Sequence, residues 1–481
     1  MNLREHRDER GAPVEPVEKK IDLRLILAIL ASGIMTFSGI VVETAMNVTF
    51  PTLMREFAVG TSAVQWITTG YLLVLATIIP TSSYLNRRFP MKALFLAANL
   101  LFISGTVLAG AAPTFSLLLL GRIIQGVGTG IALPLMFNII LARVPEDKLG
   151  VMMGVASLII ATAPAVGPFL GGMIVQHFGW RMIFAALLPL LLASLAFGAV
   201  SIRQLRPVEK ASFRWLDYLL LACAFACFIF ALSAASGAGW ISGRVLGLLG
   251  ISALALGAFC RRSLRAAQPL LRVQVFGCAP FSLHVLAIVL MQLISLGLGF
   301  LIPNYAQLVS GMTAFAAGCL LLPGCALGAA LAPVSGRFLD RFGAAKPILL
   351  GGGIVAGAAV CFALLARDLT AALTVGIYVF YAAGIGCAMG NSMTSGLRRL
   401  PPEWNADGNA VINTLQQLAG AIGTAVVSST VAAAQARPGA ALAEATMSGT
   451  QSAFWLLAAL AVAALVCSAG AFYAARPHRA A

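Results

Sequence analysis

VVETAMNVTFP, Val41 to Pro51, closes the first long apolar segment of the chain, and its reading decides the rest. Within it stands Glu43, the one acidic side chain placed inside a stretch apolar enough to lie in hydrocarbon. Keeping an ionisable group there costs roughly 2.5 kcal/mol or more unless it faces a cavity or a partner. Glu43 is therefore a functional candidate, the plainer alternative being a glutamate that emerges at the outer membrane surface.

Outward from this stretch, the 481 residues have a mean hydropathy of +0.93, with 60% hydrophobic and 10% charged residues. Soluble domains carry roughly a quarter charged residues, so the chain is a polytopic membrane protein. Fourteen apolar runs of span length are separated by short charged or Gly/Pro-containing breaks, and a helical span needs about 20 residues. A transmembrane β-barrel would show alternating segments of about 10 residues, which are absent. The polar first twenty-odd residues and the long apolar run after them, without a small-residue cleavage site, argue against a cleaved secretory signal. All nine cysteines fall between Cys223 and Cys467 with no metal-type cluster; Cys223 and Cys227 share a helix face and are expected in apolar packing.

The net charge of +15 would suggest nucleic acid in a soluble protein. With a cytoplasmic N-terminus and 14 spans, however, 26 of the 32 Lys and Arg residues lie in inside segments. Outside segments hold only Arg55, Arg181, Arg244, Arg367 and Arg437, and Arg122 falls within a span. This is the positive-inside asymmetry, and it accounts for the basicity without nucleic acid.

The expected organisation is a cytoplasmic tail (1–23), an N-terminal six-helix bundle (24–203), a segment of basic loop, two linker spans and connecting loop (204–277), a C-terminal six-helix bundle (278–475) and a second cytoplasmic tail (476–481). The two bundles look related by sequence. PTLMREFAVGTSAVQWI from Pro51 aligns with PNYAQLVSGMTAFAAG from Pro303, and SYLNRRF from Ser83 with GRFLDRF from Gly336, an offset of 252 to 253 residues. Internal symmetry of this kind marks many transporters, whose site lies between the halves near the bilayer midplane.

In span one, Gly39, Glu43 and Asn47 are four residues apart and share a helix face. Burial favours the neutral form of a carboxyl and a nearby cation the ionised form, so such a face can exchange a proton. In span four, Arg122, Gln125, Gly126 and Thr129 form one polar face, while Gly126 and Gly130 allow another backbone to approach. At 1.5 Å per residue, Arg122 lies about 10 Å in from the outer end of its helix and Glu43 about 25 Å from the inner end of its own. The two are thus at similar depth and are expected to sit close enough to couple. Span five carries a stripe of small or kinking residues, Gly154, Ser157, Ala161, Pro164, Pro168 and Gly171, so it must bend and pack closely.

These stretches resemble the major facilitator superfamily, and within it the 14-span drug:proton antiporters of the EmrB/QacA type, most closely the lincomycin-resistance-like exporters. The resemblance rests on ETAMNVTFP in span one, VQWITTGYLLV in span two, GRIIQGVGTGIALP in span four, the segment Gly154 to Gly172 in span five, and NTLQQLAGAIGTA from Asn413 in span thirteen. It covers about residues 25 to 435. It implies an all-α membrane protein with the major facilitator fold, 14 transmembrane helices arranged as two six-helix bundles plus a two-helix central insertion. It further implies that Glu43 binds protons, that Arg122 supports proton exchange, and that Gly154, Gly167, Pro168, Gly171 and Gly172 are structural elements of antiport.

Two departures stand out. The loop between spans two and three, SYLNRRFPMK, has Ser83 for the family's first glycine, Arg87 for its acid and Pro90 for its second glycine, which puts the gating latch at Arg87 and Arg88 in doubt. The second copy, Gly336, Asp340, Arg341 and Gly343, is intact. In the span-five motif the middle glycine is Ala163, which is still small.

Candidate cavity groups are Asn47, Trp66, Tyr71, Gln125 and Thr129 from the first half and His284, Gln292, Asn304, Tyr305, Asn391, Asn413, Gln416 and Gln417 from the second. Each of the second set could equally satisfy helix-to-helix hydrogen bonds, and Trp66 and Tyr71 could be packing aromatics. The expectation is a proton-coupled exporter of amphipathic drug-like molecules in the bacterial inner membrane. It is multi-pass with both termini cytoplasmic, surrounded by lipid, powered by the proton gradient, and without cofactor, metal or nucleic acid. A periplasmic adaptor protein stays open. A symporter of the same fold or an exporter of a specific metabolite is the first alternative. A membrane enzyme would need convergent catalytic groups, yet His6, His177, His284 and His478 are scattered; a sensor would usually append a soluble domain.

Overall fold

The computed structural model describes residues 22–202, 213–238, 241–266, 269–401, 404–437 and 441–474. Residues 203–212, most of the basic loop, lie outside the described residues, as do 1–21 of the tail expected at 1–23 and all of the tail expected at 476–481. Among those described there is no strand, and fourteen long helices follow one another. They are α1 (Leu23–Glu56), α2 (Thr61–Thr81), α3 (Met91–Gly110), α4 (Phe115–Arg143), α5 (Glu146–Phe178), α6 (Arg181–Ser201), α7 (Trp215–Ala238) and α8 (Gly243–Leu264). After them come α9 (Ala279–Leu308), α10 (Ala314–Leu339), α11 (Ala345–Leu364), α12 (Ala371–Leu397), α13 (Asn405–Gln435) and α14 (Leu442–Ala474). Thirteen of them have the length and apolarity to cross a membrane, and α5 is 33 residues long despite containing Pro164 and Pro168.

The helices begin where the sequence supplies a cap. Asp22 accepts from the Leu25 amide at 2.8 Å, and Thr114, Ser242, Thr313 and Thr370 cap α4, α8, α10 and α12 in the same way. A side-chain oxygen there satisfies an amide that has no partner within the helix. The predominantly apolar helices then satisfy their backbone hydrogen bonds internally, as hydrocarbon demands.

Packing repeats between the halves. In the first, α1 packs on α4, α5 and α6, α2 on α4, and α3 on α4 and α6. In the second, α9 packs on α12, α13 and α14, α10 on α12, and α11 on α12 and α14, which is the same scheme shifted by eight helices. The halves meet through α1 with α9, α2 with α13 and α5 with α10, so each crossing has its symmetric counterpart. Helices α7 and α8 pair with one another, and α7 lies along the seam of α2 and α13.

The close contacts across the seam lie toward the end of the molecule where α1 turns into α2. There Phe50 meets Phe300 (5.7 Å between ring centres) and Phe169 meets Phe315 (5.7 Å). Gln307 donates to the Val48 carbonyl (2.9 Å), Thr61 donates to Gln435 (2.7 Å), and the hydroxyls of Thr69 and Thr424 are 2.8 Å apart.

Cys223 and Cys227, expected in apolar packing, have sulfurs 3.9 Å apart as free thiols, and Cys223 is exposed on the outer surface of α7.

Candidate functional site: a carboxyl and a caged arginine beneath the junction

Two α5 glycines press on α1 from behind Glu43. A side chain at Gly171 would lie 2.8 Å from Ala45 Cβ, and one at Gly167 would run into Thr44 and, at 2.9 Å, the Val41 carbonyl. On the other side of α5, a Cβ at Gly172 would meet the Ala314 carbonyl at 2.5 Å, and Gly318 of α10 abuts the Pro168 carbonyl in return. Gly167, Pro168, Gly171 and Gly172 thus join the helix that carries Glu43 to the opposite half. Gly154 lies on the same helix, in a turn whose side-chain surroundings are outside the described residues.

Glu43 is 7% exposed and bonds to no neighbour among the described residues. One turn nearer the junction, Asn47 accepts from Thr68 of α2 at 2.8 Å, and its amide nitrogen would lie 3.7 Å from a side chain at Gly299 of α9. Asn47 and Gly299 are 252 residues apart, the repeat offset, and at the same offset Glu43 corresponds to Ser295 of α9, whose hydroxyl is 2.7 Å from that of Tyr381. The repeat therefore sets an acid in one half and a neutral serine at its counterpart.

Arg122 is fully buried. Its Nε donates to the Ile67 carbonyl (3.2 Å), its Nη1 donates to Gln125 Oε1 (2.7 Å), and its guanidinium lies 4.2 Å from the Tyr71 ring centre. The remaining nitrogen, Nη2, has no hydrogen-bond partner among the described residues. Gln125 passes the chain on by donating to Thr106 (2.8 Å). The Tyr71 hydroxyl stands 2.8 Å from Thr129 Oγ1 and 3.1 Å from the Gly39 carbonyl, one turn from Glu43 on the same helix. No ion pair joins Glu43 to Arg122 among the described residues; Tyr71 holds the arginine by its face and touches the Glu43 helix with its hydroxyl. Close approach of α4 and α2 permits this, with Gly126 against the Tyr71 backbone and Gly130 against Ile78.

The remaining expected cavity groups separate into two sets. Trp66 stacks on Phe230 of linker helix α7 (4.7 Å), and Tyr71, Gln125 and Thr129 are committed to the arginine network. His284 bonds Ser395 (3.2 Å) and packs edge-on to Phe472, Asn391 donates to Ser335, Tyr305 donates to the Ala366 carbonyl (2.9 Å), and Asn304 donates to Phe300 of its own helix (2.8 Å). His284, Asn391 and Tyr305 thus tie elements of the second half together, whereas Asn304 bonds only within α9. Gln292, Asn413, Gln416 and Gln417 are half-buried, and among the described residues none of the four bonds another helix. Asn413 and Gln416 share the α13 face of Gly420, which looks toward Leu72 and Leu296, and Gln417 shares the face of Thr424.

At the gating loops, Gly343 has φ +83°, which favours glycine, whereas its counterpart Pro90 is extended (φ −58°). The first loop therefore takes a different backbone from the second at this position. Arg341 lies 5.4 Å from the Phe342 ring centre, Gly336 faces open space, and Arg87 and Arg88 close the short helix after α2. The Asp340 side chain lies outside the described residues.

The site also uses residues that the sequence reading passed over: Thr68, Thr69, Thr106, Thr424 and the Ser295–Tyr381 pair. The visible signal was a hydroxyl inside an apolar span, with Thr68 and Thr69 adjacent in VQWITTGYLLV.

Two packing-equivalent helical halves meeting around a sequestered acid define a membrane transporter rather than an enzyme. The chain belongs to the Major Facilitator Superfamily, whose family model matches residues 32–424. It is 38% identical over 411 residues to the lincomycin resistance protein LmrB of Listeria monocytogenes, covering 85% of this chain and 87% of that one. It is 36% identical over 464 residues to the LmrB of Bacillus subtilis (94% and 95%), and 30% identical over 387 to the tetracenomycin C resistance and export protein of Streptomyces glaucescens (80% and 72%). Among solved structures it superposes on a bacterial homologue of the lysosomal transporter Spinster, captured inward-facing, with TM-score 0.68 at 15% identity, covering 96% and 100%. The xylose transporter XylE of E. coli gives 0.63 at 14%, covering 92% and 97%. At those identities the likeness is one of fold.

Proposed function

We propose that this protein exports amphipathic, drug-like molecules across the bacterial cytoplasmic membrane in exchange for inward-moving protons, with both termini in the cytoplasm. Relatives named for lincomycin resistance, multidrug resistance and tetracenomycin export support the substrate class, and the concentration of basic residues on the N-terminal side supports the orientation. The observation that carries the coupling is Glu43: a nearly buried acid with no bonded partner among the described residues, just beneath the packed junction of the halves. Such a carboxyl takes a proton when desolvated and releases it when water or cation reaches it. Substrate and proton then lower each other's affinity by linkage. Arg122, buried and stacked on Tyr71, supplies a fixed positive field beside this exchange without occupying the acid. Gln292, Gln416 and Gln417, with the carbonyl oxygen of Asn413, whose amide nitrogen donates to Asn409 (3.0 Å), are the groups left to meet substrate polar groups between the halves.

In proteoliposomes with an imposed pH gradient, Glu43→Gln is expected to abolish gradient-driven transport while substrate binding persists. Full gradient-driven transport by the variant would remove Glu43 from the coupling. A toxicity panel in a pump-deficient host expressing the gene identifies the substrates, and no change in sensitivity to any compound would oppose drug export.

A further inference from the structure

The linker hairpin carries a charge cluster that transport leaves unused. Asp217, in the first turn of α7, is 1% exposed, and its carboxylate is held by Arg214 and by Arg262 of α8. The same two arginines, with Arg261 and Arg265, line an open cavity of about 410 Å³. Four arginines thus border one space, and among the described residues Asp217, sequestered between two of them, is the carboxylate beside it. Among the described residues Arg261 and Arg265 have no hydrogen-bonded or ion-paired partner, and both are exposed.

The depth of this pocket is marked by aromatic residues. Phe213 packs on Trp215 (4.5 Å), Tyr218 (5.7 Å) and Tyr84 (4.8 Å), and Trp215 is 66% exposed. Amphipathic rings collect at the membrane–water boundary. Leu216 and Leu219 in the first two turns of α7 and Leu264 in the last turn of α8 are more than half exposed, an apolar surface suited to acyl chains at the same end of the hairpin as the arginines. A basic pocket between spans at this boundary matches a phosphate with two tails. The guanidinium fork favours phosphate oxygens in pairs, and Asp217 pre-orients two of the four.

We propose that Arg214, Arg261, Arg262 and Arg265 form a binding site for the headgroup phosphate of an anionic phospholipid, at the membrane boundary of the linker hairpin. Through the Phe213–Tyr84 contact the site adjoins the short helix that follows α2, where the first gating loop lacks its acid. A bound lipid would brace the hairpin against α2 there.

The test uses full-length protein stripped of lipid in mild detergent. Short-chain cardiolipin, phosphatidylglycerol, phosphatidylcholine and inorganic phosphate are titrated separately, with occupancy read by native mass spectrometry and by the thermal unfolding midpoint. Cardiolipin and phosphatidylglycerol are expected to bind and stabilise, and phosphatidylcholine and phosphate to do neither. Arg261→Gln/Arg265→Gln should bind cardiolipin roughly 30-fold more weakly, and Arg265→Gln alone about five-fold more weakly, from the attraction each basic residue near the surface adds. Equal midpoints for lipid-free wild type and variant assign the loss to the pocket; if the double variant fails to fold, the single one carries the test. Unchanged cardiolipin affinity in the folded variants overturns the site. So does phosphatidylcholine binding as tight as that of cardiolipin, and displacement of cardiolipin by inorganic phosphate overturns lipid as the occupant.

Discussion

Arg122 is costly at its position, and its neighbours show how the cost is offset. A buried cation lacking an acid in contact must be satisfied by dipoles, and Ile67, Gln125 and the Tyr71 face supply them. Lysine cannot reproduce this fork, so Arg122→Lys should leave Gln125 and the Ile67 carbonyl short of a donor, costing about 1–3 kcal/mol for each group left unpaired. Unfolding in detergent measures that loss, and transport should fall with it although the charge is kept. Tyr71→Phe is a finer probe, because it preserves the ring under the guanidinium and deletes only the hydroxyl at Thr129 and Gly39. About 1 kcal/mol of stability should be lost, with transport slowed rather than abolished; an unchanged rate would exclude the hydroxyl from the exchange.

Helix α5 works as a bracket. Gly167 and Gly171 seat it against α1 beside Glu43, and Gly172 seats it against the start of α10, so one helix senses the carboxyl's neighbourhood and the closure of the halves. Gly172→Leu should wedge α5 from α10 at a cost of about 1–3 kcal/mol, all of it charged to the state in which this end is packed shut. The expected outcome is faster thiol labelling of a cysteine introduced at Phe50 in that variant than in wild type. Gly171→Leu presses on α1 instead, and should lower transport without raising that labelling. Close packing was foreseeable from the run of small residues, but which side of α5 meets which helix was not.

Across the whole molecule, the proposed exchange requires the seams between the halves to part at the end where they are packed. Thr69 and Thr424 sit across one of them with hydroxyls 2.8 Å apart, a separation from which two cysteines can reach disulfide geometry. Thr69→Cys/Thr424→Cys should stop transport on oxidation and regain it on reduction. Full transport by the oxidised, cross-linked protein would mean that α2 and α13 never separate at this level.

Much of this was legible in the chain itself, since hydrocarbon leaves few choices. Apolar runs of span length must be helices, basic loops assign a side, and an offset of 252 to 253 residues announces two like halves, as Asn47 opposite Gly299 illustrates. Glu43 and Arg122 could be picked out because ionisable groups in apolar spans are rare. Helical spacing reports only the face of a single helix, however, and is silent on what another helix brings to it. Only the tertiary structure decided that Tyr71, not Glu43, takes the face of Arg122, that Trp66 turns to the linker helix, and that His284, Asn391 and Tyr305 bond within their own half. Those outcomes depend on the rotation and separation of neighbouring helices, set by glycine contacts such as Gly126 on α2 and Gly171 on α1, which join residues distant in sequence.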